Sequence, residues 1–296
     1  MKIFLSLITI VLSSLLFAQG VPSVPERTDD NLIVASYNIK WLGQTKHDFK
    51  KLAKVISNFD VCGIVEVRKE IAVIELVREI EKLTNKDWGY TFGFRTTNPS
   101  GSYYEAYAVV YRRDRVQLGD GLISNVWDKN EAYRNDPYVV SFKSGNFDFA
   151  LFLLHTRWSD DDDGNRKNEV AELKSQLDFF YSVSKEKDVL LMGDFNYSGN
   201  DTPMKEMAAA SKLKQCDQNP LTTFKNDYSA YASAYDHLYI STSNTKEYME
   251  GSANAFDVTN YIYGNNSAAS MKKSKSELSD HLPIFGVYKT NGKDDD

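Results

Sequence analysis

Cysteine is nearly absent from this sequence: Cys62 and Cys216 are the only two among 296 residues. Two thiols cannot build a disulfide framework, so a small stapled scaffold is excluded and the fold must be held by its core. Cys62 lies in an apolar run (61–67), where a buried thiol is expected, and the sequence leaves a single Cys62–Cys216 bridge open. A basic excess is also missing. The formal charge of −6 speaks against stable, non-specific clamping of nucleic acid, but not against an enzyme that touches phosphates through a few local cations. Internal repeats are absent, and no Pro/Gly-rich linker divides the body. There is no GxSxG elbow, no P-loop, no GxGxxG turn and no good cysteine nucleophile.

What is present starts at the N-terminus. Lys2 precedes an almost wholly apolar stretch (3–17), then small Ala18 and polar Gln19. This pattern predicts a secretory signal peptide over residues 1–18, and the run is too short for a comfortable membrane span. An exported, extracellular or periplasmic protein without stable membrane association is expected. Residues 19–30 read as an N-terminal tail, 31–290 as one domain and 291–296 as a solvated C-terminal tail.

Within the body, strand-like runs at 32–39 and 60–67 alternate with helix-spaced apolar residues at 48–58 and 72–83. Short β-type runs follow at 107–111, 138–142 and 147–155. A helix is expected over 169–184, then strands at 188–192, 237–240 and 282–288. Strands mixed with helices in this way predict an α/β sandwich.

Polar residues collect at the ends of these runs. Asn38 and Glu66 end the first two strands, His155 ends 149–154, and Asp194 and Asn196 follow 189–192. Asp236 precedes one late strand, and Asp280 and His281 precede the last. Taken singly, these residues are ordinary loop pairs or Asx-turns. Together at successive strand ends they form a rim of carboxylates, carboxamides and imidazoles. Hard oxygen donors such as Glu66, Asp280 and Asn38 favour Mg²⁺, Mn²⁺ or Ca²⁺ over zinc. A histidine beside a carboxylate can move a proton near neutral pH.

The segments ASYNIKW (35–41), DVCGIVEVR (60–68), SYYEAY (102–107), LLHTRW (153–158), LLMGDFN (190–196), AYDHLYI (234–240) and SDHLPI (279–284) occur in that order. Together they resemble the endonuclease/exonuclease/phosphatase superfamily, and within it the deoxyribonuclease I branch, over about residues 32–289. The resemblance implies a four-layer α/β sandwich, with two packed, mainly antiparallel β-sheets flanked by helices. It implies that Glu66, Asn38 and Asp280 hold a Mg²⁺ or Mn²⁺ ion. Asp194 and Asn196 would bind the phosphate, with Asp194 also serving a second ion. His155, oriented by Glu105, and His281, oriented by Asp236, would be the acid and base, in an order the motifs do not assign. Arg68 would approach a DNA minor groove, Tyr103 would stack on deoxyribose and Arg134 would contact phosphate.

The implied activity is a monomeric endonuclease that hydrolyses DNA with low sequence specificity and leaves 5′-phosphate ends. The alternative is a phosphatase or phospholipase of the superfamily, sphingomyelinase-like or acting on inositol phosphates. Such an enzyme would need a membrane-engaging apolar loop or a lysine-rich pocket, and only residues 271–275 are locally basic. A non-catalytic module would be expected to have lost a histidine or Glu66, and this chain keeps them all. Three features depart from the pattern: Val65 stands where the family often has Gln, no cysteines occupy the loops that carry disulfides in the animal enzymes, and an acidic loop (160–163, then Gly164) follows His155. That loop fails the EF-hand pattern and reads as solvated, and structural Ca²⁺ there stays open; Arg157 and Arg166 flank it as candidate phosphate contacts.

Overall fold

A computed structural model describes residues 23–93, 96–97, 104–126, 128, 130–158 and 163–293. The expected signal peptide, Tyr103, residues 160–162 of the acidic loop and residues 294–296 lie outside the described residues.

Two sheets pack face to face. The first contains β1 (Asn31–Leu42), β2 (Val61–Val67), β3 (Trp88–Phe92), β4 (Thr96–Thr97), β5 (Tyr104–Arg112), β12 (Asn254–Ala255) and β13 (Ile284–Lys289). Its order is β12–β13–β1–β2–β5–β3, with β4 also paired to β5. The second contains β6 (Gln117–Asn125), β7 (Tyr138–Ser144), β8 (Phe147–His155), β9 (Val189–Asp194), β10 (Leu213–Gln215) and β11 (Asp236–Ser241), in the order β10–β11–β9–β8–β7–β6. Among the described strands, β1–β2 and β8–β9 pair in parallel and the other pairs are antiparallel.

The continuous apolar runs of the sequence follow from burial on both faces. In β1, Leu32 and Val34 point between the sheets, against Leu151, Leu153, Met192 and Leu238 of the second sheet's core face. Ile33, Ala35, Tyr37 and Ile39 point the other way, into a layer with helices α1 (Phe49–Ile56) and α2 (Glu70–Thr84). Met271 of α6 (Ala268–Glu277) and Val258 of α5 (Val258–Tyr263) join that layer. Helices α3 (Asp163–Val183) and α4 (Thr202–Ser211) cover the far face of the second sheet through Val170, Leu173, Phe180 and Met204. The four-layer sandwich is therefore present. Val65, at the position where Gln was expected, lies in the apolar layer between the sheets.

Cys62 packs on the helix side of the first sheet and Cys216 between the sheets; both are free and buried. Elements that periodicity did not reveal are β3, β4, β6, β10, β12 and helices α4 to α6. Strand β6 (QLGDGLISN) is exposed along most of its length and carries two glycines, so it has no apolar alternation to read. Among the described residues, no helix is long and apolar enough to cross a membrane.

Candidate active site

The rim where both sheets end is built strand by strand. In β2, Val61 and Val65 face between the sheets and Cys62 and Ile64 face the helices, so strict alternation would aim Glu66 at the helices. A bulge prevents this. Glu66 has φ 61°, in the left-handed region, and the β2–β5 register shifts between Ile64 and Val67. Its carboxylate is turned to the rim, where Oε1 accepts from Nδ2 of Asn38 at 2.9 Å. The same Asn38 nitrogen donates to Oδ2 of Asp194, in the other sheet, at 3.0 Å. Asn38 thus ties the two sheets together at the site.

In the second sheet, three adjacent strands bring their polar ends into one row. His155 is in register with Asp194 across the parallel β8–β9 pair, and Asp194 is in register with Asp236 across β9–β11. The glycine of GDFN is required here: Gly193 has φ 144°, and a Cβ on it would stand 1.9 Å from the Leu154 carbonyl oxygen.

The row ends in two similar pairs. His155 Nδ1 lies 2.7 Å from Glu105 Oε2, and His281 Nδ1 lies 2.8 Å from Asp236 Oδ2. Both Nε2 atoms turn to one carboxylate oxygen, Asp194 Oδ2, at 3.8 Å for His155 and 3.5 Å for His281. His155 Nε2 is also 3.8 Å from Glu66 Oε1. Burial disfavours charge on either imidazole, but the Glu105 carboxylate, with Asp194 and Glu66, pushes His155 up to about 10. Asp236 and Asp194 likewise hold His281 well above its ordinary value. Burial raises Glu66 and Asp236 above the usual carboxylate range, against the opposing pull of the histidines.

Residues that the sequence reading passed over hold this frame. Asn135 Nδ2 donates to Glu105 Oε2 at 3.2 Å, and Tyr107 Oη donates to the Asn135 carbonyl at 3.4 Å while accepting from the His155 amide at 3.1 Å. Ser279 Oγ donates to the Asn38 carbonyl at 2.6 Å and accepts from the His281 amide at 3.2 Å. Their signal was weak because Ser and Asn at turns, like Tyr within a strand, have many ordinary uses.

Other expected residues fall differently. Asn196 adopts φ 50°, its amide donates to Asp194 Oδ1 at 2.9 Å and its Nδ2 to the Thr156 carbonyl at 2.9 Å. Its side-chain amino group is therefore spent on the backbone. Asp280 pairs with Lys40 Nζ at 2.7 Å, and His281 and Lys40 hold it below the usual carboxylate range despite burial. Arg68, expected to reach DNA, is redirected: it is 7% exposed and outside the cleft lining. Its Nη1 donates to the Tyr104 carbonyl at 2.5 Å and its Nη2 lies 3.8 Å from Glu105 Oε1, so it sits behind the first histidine pair. Arg134 lines the cleft, its amide bonded to Glu169 Oε1 at 2.6 Å. Arg157 lines it too and meets Glu169 at 3.1 Å, whereas Arg166 donates to the Asn196 carbonyl and covers the Tyr197 ring at 3.9 Å.

The cleft over this rim encloses about 1010 Å³. For a hard dication the fit rests on Glu66 and Asn38. Among the described residues nothing donates to the buried Asn38 Oδ1, while its Nδ2 is held by two carboxylates. A neutral oxygen fixed beside a carboxylate suits Mg²⁺ or Mn²⁺.

A family model described as Endonuclease/Exonuclease/phosphatase family matches residues 35–281. Mouse Deoxyribonuclease-1 is 30% identical over 185 residues, 56% of this chain and 60% of that protein. The chain therefore matches only about three fifths of that relative's length. An endonuclease/exonuclease/phosphatase family protein from Bacteroides thetaiotaomicron superposes with a TM-score of 0.59 at 15% identity, covering 88% of this chain and 95% of that one. A mannosyl-6-phosphatase from Bacteroides thetaiotaomicron VPI-5482 superposes with a TM-score of 0.54 at 16% identity, covering 86% and 98%. At these identities the two structures speak to the fold alone.

Proposed function

The chain belongs to the endonuclease/exonuclease/phosphatase family, and from that premise we propose that it is an exported, monomeric endonuclease. It hydrolyses DNA phosphodiesters with little sequence preference and leaves 5′-phosphate ends. The observation that carries this reading is the twin arrangement Glu105–His155 and Asp236–His281 around Asp194. Hydrolysis of a phosphodiester needs a proton removed from water on one side of phosphorus and a proton given to the leaving oxygen on the other. Each carboxylate fixes a proton on Nδ1, so each Nε2 is the atom free to exchange one with substrate. Asp194, between them, would bind the phosphate together with Asn196, through a second ion that offsets the carboxylate's charge.

Glu66 and Asn38 would hold the divalent ion, with Asp280 joining them on release from Lys40. A bound dication supplies Lewis-acid charge for the phosphate and the leaving oxygen. Arg68, set against Glu105, acts as a positioning residue for the His155 pair. Arg134 contributes charge for phosphate at the cleft wall. The mouse relative supports DNA as the ester, and the leader-like segment 3–17 supports export.

The test is a substrate panel. Supercoiled plasmid should be nicked in Mg²⁺, activity should vanish with chelator, and the new ends should carry 5′-phosphate. Intact plasmid beside rapid hydrolysis of sphingomyelin, inositol phosphates or sugar phosphates would overturn the reading.

A further inference from the structure

The hairpin that carries Thr222 to Ser233 is joined directly to the second histidine. Thr223 forms a β-bridge with His281, and the Leu282 amide donates to the Thr222 carbonyl at 2.7 Å. Two residues along, Lys225 lines the cleft. Extended backbone advances about 3.4 Å per residue, so Lys225 stands roughly 7 Å beyond the bridge. The hairpin then turns at Tyr228, whose amide donates to the Lys225 carbonyl at 3.0 Å. Tyr228 has φ 58°, a left-handed backbone that a bulky aromatic residue rarely adopts. Its ring packs on the helix-side core and meets Lys275 of α6, whose Nζ is 5.8 Å from the ring centroid. Lys275 lines the cleft as well.

Two ammonium groups from separate elements are thus brought to the His281 side of the cleft by one strained tyrosine. Among the described residues neither has a carboxylate within ion-pair distance; Asp227, on the same turn and also lining the cleft, is the nearest opposing charge in sequence. Beside the carboxylates of the rim, in a chain of net charge −6, the two lysines make a local positive edge that an anion entering the cleft can meet. We propose that Lys225 and Lys275 form a second phosphate subsite, which takes a phosphodiester about one to two nucleotides from the bond being cut. The inference rests on the reading of the cleft as a DNA-hydrolysing site and makes the substrate a polynucleotide strand.

The test is equilibrium binding of a fluorescein-labelled DNA duplex in chelator, followed by anisotropy across a salt series, with cleavage in Mg²⁺ scored separately. The Lys225→Ala/Lys275→Ala variant should bind about tenfold more weakly, and its slope of log affinity against log salt should be smaller by about 1. Lys225→Arg/Lys275→Arg should recover both. The control, Lys272→Ala/Lys273→Ala, removes equal charge from exposed positions of α6 outside the cleft lining. An unchanged slope in the Lys225/Lys275 variant, or an equal loss in the control, overturns the subsite. A parent protein that binds DNA with the expected slope but never cuts it leaves the subsite standing and sinks the hydrolysis reading.

Discussion

His155 and Glu105 show how one contact sets a chemical state. With Nδ1 held at 2.7 Å from the carboxylate, the ring presents Nε2 to the cleft in a fixed orientation. Glu105→Gln keeps the shape but offers an amide that can favour the other tautomer. Replacing the orienting carboxylate in such a pair costs on the order of 10²–10⁴ in rate. We expect kcat on DNA to fall by that order while KM changes little; a loss below about fivefold would show that Glu105 does not govern His155. A second histidine–carboxylate pair has a different use. His237 is buried, with Nδ1 at 3.1 Å from Asp217 Oδ1 and Nε2 at 3.0 Å from the carbonyls of both Tyr197 and Ala234. Both ring nitrogens face acceptors, with the Gln215 side-chain nitrogen also 3.4 Å from Nδ1, an arrangement that favours the protonated ring. Burial opposes the charge, yet Asp217 raises His237 and the imidazolium lowers Asp217. The raised histidine stabilises fully below its ordinary value of 6.5, and this is lost as pH rises through the higher folded value. The lowered aspartate stabilises above its ordinary 3.8, and this is lost as pH falls through the lower folded value. Asp217→Asn should therefore cost about 3–5 kcal/mol near pH 5 and less at both extremes. Urea unfolding at pH 3, 5 and 9 tests this, and a cost independent of pH would refute it.

At the scale of elements, the strand ends carry the site, and one irregular strand end decides its geometry. Glu66 is the residue that simple alternation misplaces, because the bulge in β2 and its φ of 61° reverse its facing. A non-glycine residue held there stores about 1–3 kcal/mol of strain, and burial among carboxylates adds to it. Glu66→Gly removes both, so the variant should be inactive yet no less stable than the parent, with Tm up by a few degrees. A clear fall in Tm would mean that the Asn38 hydrogen bond outweighs the strain. The same strand explains what was legible in the sequence. Apolar runs buried on two faces announced β1, β2, β8 and β9, and with them Asn38, Glu66, His155 and Asp194. The motif resemblance supplied the two orienting carboxylates, since Glu105 and Asp236 lie far from their histidines in sequence. Sequence did not foretell that Arg68 turns inward to Glu105, that Lys40 takes Asp280, or that Asn196 spends its amide on the Thr156 carbonyl. Each of those is a competition between nearby partners, settled only by side-chain packing. Elements without period, such as exposed β6 and the Ser/Lys-rich α6, were invisible for the same reason: little apolar surface marks them.

At the scale of the molecule, the site is a seam. Between the sheets the contacts are mostly apolar until the rim, where Asn38 of β1 reaches both Glu66 of its own sheet and Asp194 of the other. Five carboxylates (Glu66, Glu105, Asp194, Asp236 and Asp280) meet there, offset by His155, His281 and Lys40. A dication held by Glu66 and Asn38 would therefore bind the folded chain alone, because the unfolded chain does not bring strands β1 and β2 together. Ligands of that kind stabilise by mass action: at a hundredfold excess over Kd the gain is about 2.7 kcal/mol. For a domain of this size that corresponds to roughly 5–10 °C in Tm. Mg²⁺ or Mn²⁺ should raise Tm by this order in the parent, chelator should reverse it, and Glu66→Gln should remove most of the rise. If Glu66→Gln responds to the ion as the parent does, the cation sits elsewhere, and the acidic loop after His155 becomes the place to look. If neither protein responds, the seam holds its charges without a metal, and the assignment of Glu66 and Asn38 as its ligands falls.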